Sequence, residues 1–364
     1  MTSIVETSSS AIARLASLHL GASVEEIAVT KLTGDASTRS YFRAEGRGAS
    51  VIAALYSATF DQNERAVDRL TRLEATDPSA RLTFSNDPCA YIELTELLVD
   101  SGLPVPRVLA ISGAERVMLI QDVGDIRLQD WLTTHSDSEA LEAYRRAIDI
   151  VVRIQEATSR ALSVDSICSH LAFDESKLRW ELGFFFASYF NRYLHMRLDP
   201  STSNAVQADF KALCSELASR PRVLTHRDYH ARNLMMYRGE MFIIDHQDAR
   251  MGPASYDVAS LLSDPYTCLT QEVSGELINR FIELKKASST GFPGVDEFRI
   301  ELQLMIVQRM LKAVGTYASQ AAIGNVMYIG YIEPAITRAI AAMEHLGRFE
   351  STRSLLDASR SHHL

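Results

Sequence analysis

The hydrophobic pattern of the chain changes character near residue 124. Before this point, short apolar runs alternate with turn residues, a pattern typical of strands in a small antiparallel sheet. After it, apolar residues recur at helical spacing over long stretches. In the first part we predict strands at residues 27–32, 39–45, 51–56 and 116–123 and a helix at 89–101. In the second part we predict helices at 138–157, 177–194, 297–317 and 335–346 and a strand-rich segment at 222–248.

This change predicts an α+β protein of two lobes. The N-terminal lobe, residues 1–122, would contain the antiparallel sheet, and the C-terminal lobe, residues 123–350, would be mostly helical. The remaining residues, 351–364, form a polar tail that we expect to fray, as chain ends without burial usually do.

The composition then narrows the classes of function. The 364 residues are 46% hydrophobic and carry a net charge of −9, which fits a globular protein without the basic excess of a nucleic-acid binder. Four cysteines without CxxC spacing predict neither a zinc site nor a disulfide framework. No signal-peptide pattern and no membrane-spanning run is found, so we expect a cytoplasmic protein without a membrane partner. The oligomeric state stays open.

The segment that carries chemistry is a predicted β-hairpin. Two apolar runs, 234–237 and 241–244, flank a short turn that contains glycine. Closing the hairpin brings Asn233 and Asp245 together, because facing residues of antiparallel strands have Cα atoms about 4.5 to 5.5 Å apart. Amide and carboxylate oxygens are the ligands that Mg²⁺ prefers. Asp228 lies one loop earlier, and phosphoryl transfer needs such a carboxylate to orient a hydroxyl and accept its proton.

For any one of these residues, a role in capping a turn is the alternative interpretation. The spacing His226-x-Asp228, with Asn233 five residues further and Asp245 after the hairpin, resembles the catalytic loop and the metal-binding aspartate of kinases. His230 adds the form typical of the aminoglycoside phosphotransferase and choline kinase group. This resemblance implies the two-lobed protein-kinase-like fold, ATP and Mg²⁺ as cofactors, Asp228 as base and Asn233 and Asp245 as metal ligands. It also implies a small sugar or alcohol as acceptor.

Further segments resemble the bacterial anomeric kinases of N-acetylmuramate and N-acetylglucosamine, namely residues 34–43, 245–249, 252–257 and 308–315. The resemblance implies phosphorylation of the anomeric hydroxyl of an amino sugar, a step in cell-wall sugar recycling. Two alternatives stay open: a kinase of another small alcohol, amino sugar or aminoglycoside, and a nucleotide-binding regulatory pseudokinase.

The nucleotide contacts follow from the same resemblance. Gln121, Asp122 and Val123 would form a hinge that offers backbone groups to adenine, although an ordinary buried strand end is the alternative. The strand lysine of typical kinases is absent from residues 51–56. We therefore expect either that Arg39 or Arg43 replaces it or that magnesium neutralises more of the phosphate charge, and Ser37 in the preceding turn is a further candidate to contact the nucleotide. A solvated strand face is the alternative for both arginines.

The acceptor contacts are predicted on an aromatic-rich helix and in the catalytic loop. Glu181 is a candidate to accept hydrogen bonds from sugar hydroxyls, while Trp180 would pack on the sugar face and His230 would contact the acceptor. The alternative for the aromatic residues of this helix is packing in the protein core, which is the common fate of aromatic stripes at helical spacing.

Overall fold

The computed structural model describes residues 2–32, 39–267, 269–288 and 292–360, with side chains from residue 9 onward. The helices are α1 (Thr2–Leu20), α2 (Ala66–Glu74), α3 (Ala80–Thr83), α4 (Pro88–Asp100), α5 (Leu128–Leu132), α6 (Asp137–Glu156), α7 (Thr158–Ser163), α8 (Ile167–His170), α9 (Glu175–Phe186), α10 (Pro200–Ala218), α11 (Tyr256–Leu262), α12 (Gln271–Ala287), α13 (Val295–Ala322), α14 (Ile332–Leu346) and α15 (Glu350–Arg360). The strands are β1 (Ala28–Lys31), β2 (Ser40–Gly46), β3 (Ala49–Leu55), β4 (Val108–Ser112), β5 (Val117–Gln121), β6 (Arg222–Thr225), β7 (Leu234–Tyr237), β8 (Glu240–Ile243) and β9 (Arg250–Pro253).

The chain forms two compact units. The first contains Met1–Leu128, Arg160–Ile167 and Asn233–Asp248. The second contains Gln129–Ser159, Cys168–Arg232 and Ala249–Leu364. This division differs from the predicted single boundary after residue 122, because backbone hydrogen bonds tie the β7–β8 hairpin to the first unit. The amide of Met236 donates to the carbonyl of Ile126 at 2.8 Å, and that of Ile243 to Pro104 at 2.7 Å.

The first unit is built on a five-stranded antiparallel sheet in the order β1-β2-β3-β5-β4. Its buried apolar face packs against α1: Ile12 and Ala16 join Phe42, Ala53 and Leu119 in one cluster. In β3, Val51 and Ala53 are buried on this face, and Ala54 on the opposite face is buried as well. Each of the four strands predicted in this part lies within a few residues of an observed strand.

The predicted hairpin is also present in the first unit. In it, Leu234 pairs with Ile243 and Tyr237 pairs with Glu240. The two turn residues between them, Arg238 and Gly239, have φ of 52° and 81°. Positive φ at both central positions defines the turn whose twist matches that of the flanking strands, and glycine adopts it without steric cost.

The second unit is mostly helical, with β6 and β9 as a two-stranded antiparallel sheet. The central helix of this unit is α13, in which 14 of the 28 residues are buried. Gly315 in α13 allows close contact with α9, because a Cβ atom at this position would lie 2.6 Å from the Cα of Phe185. α9 continues into one stretch of π-helix, Ala187–Tyr193.

The prediction of a frayed tail is wrong for residues 351–360. They lie in α15, in which Leu355 and Leu356 are buried. Asp209 of α10 accepts hydrogen bonds from the amide and the hydroxyl of Thr352, at 2.8 and 2.9 Å. Apolar positions at helical spacing outweigh the polar composition of this segment. Within the described ranges, no helix has the length and the apolar character that a membrane span requires.

The close contact at Gly315 generates a prediction about stability. We expect Gly315→Ala to lower the free energy of unfolding by roughly 1 to 3 kcal/mol, because the new methyl group meets backbone atoms of α9 that cannot yield locally. Gly275→Ala in α12 is the matched control. No atom lies within 4 Å of its added Cβ, so the better helix propensity of alanine should raise stability by up to about 1 kcal/mol. Urea unfolding measures the free energy of unfolding of both variants. If Gly315→Ala were stabilised as much as Gly275→Ala, the close contact at Gly315 would be contradicted.

Candidate active site

The loop that carries Asp228 is held by a buried carboxylate. Asp257, in the first turn of α11, accepts hydrogen bonds from the backbone amides of His226 at 2.7 Å and Arg227 at 3.1 Å. Arg227 has φ of 86°, a conformation that costs a non-glycine residue about 1 to 3 kcal/mol and persists only where the surroundings enforce it. Burial raises the pKa of Asp257 above its usual value, although the electrostatic interaction with His226 and the two amide hydrogen bonds oppose this. The backbone before Asp228 is therefore fixed by α11.

Three cations surround the Asp228 carboxylate. Lys312 Nζ lies 3.1 Å and Arg309 Nη2 3.5 Å from Oδ1, and Arg227 Nε lies 3.7 Å from Oδ2. Burial alone would raise the pKa of Asp228, but Lys312, Arg227 and Arg309 hold it well below its usual range. The side chain keeps 27% of its surface exposed. An ionised carboxylate is thus open to a ligand.

Lys312 and Arg309 were not among the predicted site residues. Both lie on α13, three positions apart, so they share one face of that helix. The signal was present, because both belong to the segment 308–315 that carries part of the resemblance. Burial lowers the pKa of Lys312 to about 8, although Asp228 raises it. Its charge therefore depends on pH in a range where enzymes work.

Glu181 does not lie where a sugar could reach it. Its side chain is 1% exposed, Oε2 accepts a hydrogen bond from Gln308 Nε2 at 2.8 Å, and Lys177 Nζ lies 3.8 Å from Oε1. Burial would raise the pKa of Glu181, but Lys312 and Lys177 bring it below the usual value. Glu181 therefore belongs to the buried charge network of α9 and α13, and its expected contact with sugar hydroxyls is wrong for this structure.

The aromatic residues near Glu181 in the sequence divide between surface and core. Trp180 is 42% exposed, and the ammonium of Lys177 lies 4.3 Å from the centroid of its ring. Phe185, Tyr189 and Phe190 are fully or almost fully buried. The alternative interpretation, packing in the protein core, is confirmed for these three residues.

His230 lies in the Asp228 loop, half-buried, with its ring edge toward Tyr266 at a centroid distance of 5.6 Å. Burial lowers the pKa of His230 to about 3, although Asp228 raises it. The imidazole is therefore neutral near pH 7. Its Nδ1 is buried and has no hydrogen-bond partner among the residues that the structure describes.

In the first unit, the hairpin register joins the two predicted metal ligands. Asn233 accepts a hydrogen bond through its backbone carbonyl from the amide of Ile244 at 3.0 Å, and Asp245 follows directly. Asp245 has φ of 66°, and its side chain is 40% exposed. An amide and a carboxylate form an oxygen donor set that fits Mg²⁺. In the described part of the chain, no group of three or more His, Cys, Asp or Glu residues is arranged to hold a metal ion.

The two candidate arginines have different partners within the first unit. Arg39 is buried, and its Nη2 donates to Asp245 Oδ1 at 3.2 Å and to Asn86 Oδ1 at 3.0 Å. Arg43 instead forms salt bridges with Asp122 at 2.7 Å and Asp125 at 2.8 Å. The structure therefore brings Arg39, and not Arg43, to the predicted metal ligand. Ser37 lies outside the described residues.

The predicted hinge follows β5. Gln121 is the last residue of this strand, and its amide donates to the carbonyl of Arg107 at 2.9 Å. The carboxylate of Asp122 accepts a hydrogen bond from the amide of Gly124 at 2.9 Å, and Val123 is buried. The backbone of Gln121 and the carboxylate of Asp122 are thus held by hydrogen bonds within the first unit.

Comparisons with known proteins identify the family. Residues 28–298 match the model of the phosphotransferase enzyme family, APH. The chain belongs to this family, and it is a small-molecule kinase. The predicted family and enzyme class are confirmed.

Relatives and solved structures agree with this assignment. The N-acetylmuramate/N-acetylglucosamine kinase of Pseudomonas aeruginosa is 31% identical over 323 residues, which cover 84% of this chain and 90% of the relative. A choline/ethanolamine kinase family protein from Mesorhizobium loti superposes with a TM-score of 0.51 at 15% identity, covering 90% of this chain and 92% of its own. A spectinomycin phosphotransferase solved with ADP and spectinomycin superposes with a TM-score of 0.52 at 14% identity, and the match covers 86% of this chain and 92% of that protein. The predicted kinase-like fold class is confirmed.

The position of Lys312 beside Asp228 generates a prediction about pH. As the pH rises through about 8, Lys312 loses its proton, and Asp228 loses the positive charge 3.1 Å from its Oδ1. We expect kcat/KM to fall roughly tenfold or more above this pH, the usual worth of a charge-assisted hydrogen bond. Lys312→Arg should remove this alkaline fall, because arginine stays charged.

The matched control is Lys211→Arg on the exposed face of α10, which should keep the alkaline fall of the unmodified protein. The measurement is kcat/KM from pH 6 to 10. An identical fall in Lys312→Arg would show that another group titrates.

Proposed function

We propose that this protein transfers the γ-phosphoryl group of ATP to the anomeric hydroxyl of an N-acetylated amino sugar, N-acetylmuramate or N-acetylglucosamine, in cell-wall sugar recycling. The observation that carries the chemistry is the ionised, partly exposed Asp228 carboxylate in its cluster of cations. The amino sugar is supported by the name of the Pseudomonas relative, and ATP by the ADP in the spectinomycin phosphotransferase.

In this proposal, Asp228 orients the acceptor hydroxyl and accepts its proton. The hydroxyl oxygen forms a bond to the γ-phosphorus, the bond to the β,γ-bridging oxygen breaks, and ADP leaves. The low pKa of Asp228 makes it a weak base. This is sufficient if the proton moves late, because the transition state of phosphoryl transfer is loose and develops little charge on the attacking oxygen early in the reaction.

Asn233 and Asp245 would hold magnesium, which when bound neutralises phosphate charge and positions the nucleotide. Arg39 donates a hydrogen bond to Asp245 and orients its carboxylate. It would also supply the positive charge that the strand lysine provides in typical kinases. Gln121, Asp122 and Val123 would contact adenine at the end of β5.

Two substitutions should separate the base from the metal ligand. Asp228→Asn should lower kcat by about 10²- to 10⁴-fold with little change in nucleotide affinity, because a general base acts in the transition state. Asp245→Asn should instead weaken the binding of ADP in the presence of magnesium, measured by calorimetric titration. Asp357→Asn, on the surface of α15, is the control and should change neither quantity. Near-normal kcat in Asp228→Asn would remove Asp228 from the role of base.

The position of the new phosphate tests the substrate. We expect a sugar 1-phosphate, so phosphorus NMR of the product should show coupling between phosphorus and the anomeric proton. A 1-deoxy sugar should not react, whereas a 6-deoxy sugar should still be phosphorylated. Phosphate on the 6-hydroxyl would contradict the anomeric assignment. Brisk reaction with choline or an aminoglycoside, and none with either amino sugar, would replace the amino sugar by another acceptor.

A further inference from the structure

The Asp228 loop ends near Arg232, whose hydrogen-bond partners are neutral side chains. Arg232 Nε donates to Gln129 Oε1 at 2.9 Å, and Nη2 donates to the hydroxyl of Tyr331 at 3.1 Å. The guanidinium lies over the ring of Tyr266, with its carbon 3.7 Å from the centroid. Among the residues that the structure describes, Arg232 forms no salt bridge. It therefore differs from Arg309, whose charge is paired with Asp228.

Three tyrosine rings, those of Tyr266, Tyr331 and Tyr317, form an aromatic wall beside this guanidinium. Tyr266 and Tyr331 meet edge to face at a centroid distance of 4.7 Å, and both are half-buried. Tyr317 packs behind them, 5.9 Å from Tyr266 and 5.8 Å from Tyr331. A partly exposed cation framed by aromatic rings is a preorganised binding surface, because the rings restrict the motion of the guanidinium and limit its contact with water.

A buried carboxylate fixes the wall to the Asp228 loop. Asp264 is 2% exposed and accepts hydrogen bonds from the backbone amides of Ala231 at 3.0 Å and Tyr266 at 2.9 Å. One side chain thus joins the residue before Arg232 to the aromatic ring beneath Arg232. The contact between His230 and Tyr266 adds a second link. The distance between this surface and Asp228 is therefore set by the fold.

We propose that Arg232, with Tyr266 and Tyr331, forms an acceptor subsite that binds a carboxylate carried by the sugar. This proposal rests on the proposed function and specifies its substrate class as acidic amino sugars. Guanidinium matches a carboxylate with two parallel N–H donors, and both aromatic rings offer apolar faces to a sugar ring. Arg232 is four positions from Asp228, so one short loop holds both the base and the anion-binding group.

The two sugars under consideration differ in this group. N-acetylmuramate is N-acetylglucosamine with a lactyl ether, which ends in a carboxylate, at the 3-hydroxyl. Arg232 would therefore bind the carboxylate of N-acetylmuramate and would have no such group to bind on N-acetylglucosamine. The hydrogen-bond partners of Arg232 are neutral, and the nearby Asp264, which interacts with it electrostatically, accepts hydrogen bonds from backbone amides. This favours the arrangement, because a guanidinium whose donors were bonded to a protein carboxylate would bind an acidic substrate less well. The half-buried surroundings strengthen the charge-assisted hydrogen bond relative to water.

The test compares both sugars in the full-length protein. We expect Arg232→Gln to lower kcat/KM for N-acetylmuramate about 10- to 100-fold, mainly through KM, and to leave N-acetylglucosamine within about twofold. Arg232→Lys should recover part of the loss, because it keeps the charge without the two-donor geometry. Tyr331→Phe, which removes a hydrogen-bond acceptor of Arg232 and keeps the ring, should give a smaller loss in the same direction.

The matched control is Arg348→Gln, because Arg348 also lies over an aromatic ring, that of Phe349, but pairs with Glu216. Arg348→Gln should leave kcat/KM unchanged for both sugars. An equal loss for both sugars, or a raised KM for ATP, in Arg232→Gln would assign this residue to the general reaction or to the nucleotide and overturn the subsite alone. No turnover of either sugar by the unmodified protein would overturn the proposed function and the subsite with it.

Discussion

The backbone of the Asp228 loop depends on two buried carboxylates. Asp257 accepts hydrogen bonds from two amides before Asp228, and Asp264 accepts one from Ala231 after it and one from Tyr266. A buried amide without a partner costs about 1 to 3 kcal/mol, so each carboxylate stabilises one loop conformation against the alternatives. The directions in which Asp228 and Arg232 project both follow from this constraint.

In this acidic protein, a local cluster of cations keeps the Asp228 carboxylate ionised. The chain has a net charge of −9, yet Arg309 and Lys312 of α13 both face one carboxylate. Burying an ion costs desolvation free energy. The attraction of buried partners offsets this cost only when the geometry of the pair is good. The result here is a carboxylate that stays ionised although it is largely enclosed. Glu181 extends the same network, which explains why it is unavailable to a ligand.

Arg39 is the better candidate to replace the missing strand lysine, because it contacts the predicted metal ligand Asp245. Its guanidinium is buried beside Asp245 and lies near the rings of Tyr41 and Tyr56, 5.7 and 6.0 Å from their centroids. A lysine buried to this extent would tend to lose its charge, whereas arginine remains charged. Its several donors also reach Asn86 and Asp245 from one position. The sequence predicted that an arginine would replace the lysine, but it did not distinguish Arg39 from Arg43.

The sequence by itself determined the features that depend on local spacing: the hairpin, the loop before it, four of the five strands of the first unit's sheet and the family; β4 was not predicted. Pattern and turn chemistry act over a few residues, so one sequence is sufficient to read them. Only the tertiary structure decided which distant groups meet. Lys312 lies 84 positions from Asp228, and Arg39 lies 206 positions from Asp245. It also decided that Glu181 is enclosed, because burial depends on how α9 packs against α13, which no periodicity along the chain encodes.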